Sequence, residues 1–138
     1  MSLLSVNCLL AQSEQVWLRP NLGQWDEPIE YQVQMDQGVM MLDQAGFTYL
    51  FYEKPAHDHT AESSEHDHNK VHAQVLKMHF LNNAWEGVKV EEGKSAHYSN
   101  YYIGNNPNRW KSGIFDVSKT TYKEFYPGID LEILGVEQ

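Results

Sequence analysis

A single cysteine, Cys8, stands in 138 residues, so an internal disulfide is excluded and the fold must rest on its core. No apolar run approaches the roughly 18 residues needed to span a bilayer as a helix. Cations are scarce: ten Lys and Arg face nineteen Asp and Glu, for a net charge of −9, and no basic patch interrupts the acidity. Such a surface repels phosphate backbones and anionic lipid, which argues against nucleic acid as a partner. Also missing are a glycine-rich phosphate loop and a nucleophile elbow, so phosphoryl transfer and Ser-His-Asp chemistry have no sequence support. Carboxylates abound, but acid–base catalysis needs two of them facing across a cleft, and spacing alone reveals no such pair.

What is abundant is aromatic side chain: eight Tyr, five Phe and four Trp, in short clusters with β-branched neighbours. That composition favours strands, and the length fits one domain. Ile29, Tyr31, Val33 and Met35 alternate with polar residues, the period-2 signature of a half-buried strand. Gln37-Gly38 offers a turn, Val39 to Leu42 returns as a second arm, and Phe47 to Tyr52 follows Asp43-Gln44-Ala45-Gly46 as a third strand. Order resumes at Val71 to Leu81, where Leu76, Met78 and Phe80 share one face and Ala73 and Val75 the other. A short strand is expected over Trp85 to Val90, ending at Glu91-Glu92-Gly93-Lys94. Gly104-Asn105-Asn106-Pro107 marks a turn leading to one helical turn at Asn108-Arg109-Trp110. Tyr122, Phe125 and Tyr126 run into Pro127-Gly128, and Ile129, Leu131 and Ile133 alternate in a last strand with an edge to be covered. The expected fold is mainly β, an antiparallel sandwich or half-barrel, possible truncation at its C-terminus included.

Two segments fall outside this pattern. Residues 1–11 end an apolar patch at Ala11 before a polar run and are expected to be the remnant of a signal peptide or an appended start, leaving 12–138 as the domain. Residues 53–70 are expected to be a polar loop in which His57, His59, His66 and His68, with His72 beyond, gather imidazoles able to take Zn²⁺. A built metal site needs a second shell that so polar a loop does not offer, so the expectation is no cofactor, with zinc as the alternative. Tyr98, Tyr101, Tyr102 and Trp110, concentrated near one turn, are the candidates for stacking on a sugar or a partner. Asp130, between Ile129 and Leu131, is expected to hydrogen-bond its turn.

The order of several motifs carries a resemblance. Asn21-Leu22-Gly23-Gln24-Trp25 and Gly46-Phe47-Thr48-Tyr49 form a first half; Asn100 through Pro107 with Trp110, then Tyr126-Pro127-Gly128-Ile129-Asp130-Leu131, form a second. Together they cover roughly Trp17 to Leu134 and resemble an N-terminal domain of large secreted or surface proteins of Bacteroidota. In that family the domain precedes SBBP β-propeller-type repeats and a gliding-motility-associated C-terminal sorting domain, neither of which stands in this sequence. The resemblance implies export to the cell surface or beyond, and no enzyme activity. The expected function is therefore a non-enzymatic module for adhesion, packing against adjacent domains of the same polypeptide, or partner recognition at surface proteins. A carbohydrate-binding module docking onto polysaccharide comes second and a metal-binding domain third. Homodimerisation through an exposed edge strand is a further expectation.

Overall fold

The computed structural model describes residues 15–52 and 72–135. Two antiparallel sheets build it, as expected for a sandwich, and no α-helix occurs among the described residues. The first sheet is a five-stranded meander: β1 (Arg19–Pro20), β2 (Tyr31–Met35), β3 (Gly38–Asp43), β4 (Gly46–Tyr52) and β5 (Ala73–His79). The second has three strands, β6 (Lys89–Tyr101), β7 (Lys111–Tyr126) and β8 (Ile129–Leu134), with β7 in the middle. No closed barrel forms among these strands.

Tight turns join β2 to β3 and β3 to β4. Asp43 accepts hydrogen bonds from the backbone N–H of Ala45 and Gly46 at 2.6 and 3.0 Å, closing the β3–β4 turn. At Gly46, φ is +150° and an added Cβ would lie 1.9 Å from the Met78 carbonyl oxygen, so β5 can approach only because no side chain is there.

The sheets are joined at Leu18 to Pro20. Leu18 exchanges backbone hydrogen bonds with Val117 at 2.9 Å in both directions, and the next two residues pair with β2. The edge of β7 beside Leu18 is open because β8 has run out: Gly135 N–H reaches the Ser118 carbonyl, and Val117 lies one residue before Ser118. Arg19 clamps this crossing with a two-pronged ion pair to Asp116, both contacts 2.9 Å. The core then forms between the sheets from Leu18, Tyr31, Val33 and Leu42 on one side and Val117, Tyr122 and Phe125 on the other.

Two expectations need correction. Trp85 to Val88 is not a strand; it lies irregularly along β7, with the Trp85 indole N–H donating to the Lys123 carbonyl at 2.8 Å and its ring edge-on to Tyr122. Glu91 to Lys94 does not end a strand either but lies inside β6, where Gly93 at φ +68° sits 1.8 Å, measured from an ideal Cβ, from the Ser118 hydroxyl. Here the glycine serves close strand approach rather than a turn.

Candidate functional site

The segment between β1 and β2 folds on its own side chains. Asn21 donates to the carbonyls of Trp25 and Ile29 and accepts from the N–H of Gly23 and Trp25, at 2.7 to 3.1 Å. Gln24, nearly fully buried, accepts from Leu22 N–H and donates to the Pro20 carbonyl. These amides replace the ladder bonds that an irregular loop lacks, which is how Trp25 is presented to the other sheet. Its indole N–H donates to the Tyr101 hydroxyl at 3.1 Å, with the rings edge-on at 5.7 Å. Asp26 pairs with Arg109 in the 3₁₀ turn Pro107–Arg109, whose N-terminus is capped by Asn106. Trp25 and Asp26 therefore meet Tyr101 and Arg109, 76 and 83 positions away, in one corner.

Beneath this corner lies an open cleft of about 600 Å³ between the 20–30 segment, the β3–β4 turn and the start of β6. Glu27, Glu30, Asp43 and Glu91 line it, with Lys89. Its floor is a crossed pair of phenol–carboxylate bonds. Tyr31 of the first sheet donates to Glu91 of the second, and Tyr122 of the second donates to Glu30, beside β2, at 2.6 Å. Lys89 contacts Glu30 at 3.2 Å and lies 4.7 Å from the centroid of the Tyr31 ring. Burial, then the neighbouring carboxylates, push both phenols well above the usual tyrosine range. Burial also pushes the Glu30 carboxyl up, but hydrogen bonds from Tyr122, Gln44 and Lys89 with the lysine charge outweigh it and hold Glu30 below its usual range. A carboxyl held ionised and fully hydrogen-bonded is suited to joining two sheets; a general acid needs the opposite shift.

The expected sugar-stacking residues do not assemble into one flat platform. Tyr101 is half-buried against Trp25. Tyr102 and Trp110 are exposed but edge-on to each other at 81°, and Tyr98 packs over Phe115 on the strand. Of the histidines, His72 is exposed; His57, His59, His66 and His68 lie outside the described residues, as does Cys8. Among the described residues no group of three His, Cys, Asp or Glu is placed to hold a metal ion, and no helix is long and apolar enough to cross a membrane. Asp130 accepts from Glu124 N–H and Lys123 Nζ, both at 2.8 Å, so it binds the irregular stretch of β7 that faces it rather than the Pro127-Gly128 turn.

A second feature had no counterpart in the sequence reading. The inner face of the five-stranded sheet carries two apolar rows that cross β2 to β5, yet only part of each is covered. One cross-strand row runs Tyr31, Leu42, Phe47, Met78; the next runs Val33, Met40, Tyr49, Leu76. Exposure rises along each, from 0% at Tyr31 to 51% at Met78, and from 7% at Val33 to 56% at Leu76. Phe51, stacked parallel to Tyr49 at 6.1 Å, is 40% exposed. The alternation in 73–80 does assign Leu76 and Met78 to one face, but nothing local says that the opposing sheet stops short of them.

An acidic antiparallel β-sandwich with an uncovered inner face is the class of domain these features define. The chain belongs to the family described as a domain of unknown function, DUF7948, whose model matches residues 18–138. Comparisons with curated proteins and with solved structures give no match.

Proposed function

We propose that this domain is a non-enzymatic recognition module of a secreted or cell-surface protein, and that its working surface is the uncovered inner face of β4 and β5. The gradient of exposure along the two cross-strand rows carries this reading: a face built like core, ending in Leu76 and Met78, is left to solvent by a three-stranded partner sheet. Contiguous exposed apolar surface of this kind marks polypeptide contact, whether with an adjacent domain or a separate surface protein. The phenol–carboxylate bonds to Glu30 and Glu91 fit the same reading, since they tie sheet to sheet. The resemblance to N-terminal domains of exported Bacteroidota proteins supports the location.

A photocrosslinking residue at position 51 tests the surface on intact cells. We expect one reproducible polypeptide adduct from position 51, none from a control at exposed Ile129 on the other sheet, and labelling by an impermeant reagent. Equal capture at both positions, no capture at all, or protection from the reagent would overturn the proposal.

A further inference from the structure

The outer edge of β5 carries few of the features that keep a strand edge unpaired. Each of its residues, Ala73 to His79, is exposed, and among the described residues no strand pairs with that edge. Other long edges are guarded. On β8, Asp130 and Glu132 make ion pairs with Lys123 and Lys119, and β6 carries Glu91, Glu92 and two register shifts. In contrast, β5 has no acidic residue, no Pro and no Gly, and its register with β4 runs unbroken for seven pairs. Charges, prolines and bulges are the ordinary means of keeping an edge unpaired, and β5 has only Lys77.

The hydrogen-bonding phase of this edge follows from its inner neighbour. Phe80 N–H donates to the Ala45 carbonyl at 2.8 Å, one step beyond the Gly46–His79 pair, so the backbone groups of Gln74, Leu76 and Met78 turn toward β4. Those of Ala73, Val75, Lys77 and His79 turn outward. A two-fold axis normal to the sheet at Leu76 sets Val75 opposite Lys77 and Ala73 opposite His79 of a second copy. Every outward N–H then meets an outward carbonyl, about eight hydrogen bonds in all. Lysine falls opposite valine, avoiding the like-charge pair that an axis at Lys77 would create. Because the axis keeps the same face up, the exposed apolar strips of both copies join into one.

We propose that the β5 edge pairs with the β5 edge of a second copy, antiparallel and centred on Leu76, to form one sheet through the dimer. The pairing occupies the β5 edge and leaves the apolar face open, so it goes beyond the reading above by joining the two recognition faces into one. It is tested by light-scattering mass across a concentration series. The expected mass is twice the 16.0 kDa of the chain, falling to that of one chain in Val75→Pro, which removes an outward N–H, and in Leu76→Lys, which puts two cations on the axis. Circular dichroism and thermal melting show whether each variant stays folded. In a Cys8→Ser background, Leu76→Cys should oxidise to a disulfide-linked dimer, because a non-hydrogen-bonded antiparallel pair brings the two Cα atoms to about 4.5 Å. A native chain that stays monomeric, a dimer unaffected by both folded variants, or no disulfide would overturn the pairing. A crosslink from position 51 to another polypeptide beside a monomeric chain would leave the recognition surface standing and remove the edge pairing alone.

Discussion

Alkaline titration probes the crossed tyrosine–carboxylate bonds directly. Tyr31 and Tyr122 are 0% and 1% exposed, and each phenol donates to a carboxylate, so an ionised phenolate would sit without water beside a negative charge. Their folded pKa values are raised, and the sign follows: stability from these groups is full below the unfolded value near 10 and falls as pH climbs above it. In that window the unfolded chain releases two protons that the folded chain keeps. Each proton lowers stability by about 1.4 kcal/mol per pH unit, so the pair gives a slope of about 2.7 kcal/mol per unit. A domain stable by about 5 kcal/mol would unfold near pH 12 from this cause alone. Absorbance at 295 nm, followed with circular dichroism, should show phenolate worth two of the eight tyrosines appearing only as the strand signal is lost. Tyr31→Phe or Tyr122→Phe should halve the slope. Full ionisation of all eight tyrosines with the strand signal intact would refute the buried cross-bonding of the sheets.

Two further outcomes rest on particular contacts. Because Glu30 is held below its usual range, its contribution is present above the unfolded carboxyl value and is lost as pH falls through the folded one. Glu30→Gln should therefore cost about 1–3 kcal/mol at neutral pH in urea unfolding and flatten the acid limb of the stability profile. Gly46→Val would drive a side chain into the Met78 carbonyl and force β5 off β4, so loss of more than about 2 kcal/mol, or of soluble protein, is expected, whereas exposed Gly128→Asn should cost little.

Local pattern was enough to place much of this protein. Alternation at Tyr31 to Met35, with Asp and Gly at the turns, places β2, β3 and β4 as a three-stranded meander, and alternation at 73–79 marks β5 as a strand without showing that it pairs with β4, because strand period and tight-turn chemistry are properties of neighbours in sequence. Tertiary structure alone decided the long central strand β7. Its buried Ile114, Val117 and Thr120 recur every third residue, since irregular pairing and contacts with both sheets displace the period-2 rule. Only the fold could bring Trp25 to Tyr101, Glu30 to Tyr122 and Glu91 to Tyr31, because each contact joins residues 60 or more positions apart. The open face belongs there too: Leu42 and Leu76 are both apolar strand residues, and which one meets water depends on how far the opposing sheet extends. That extent is a long-range property with no local signature.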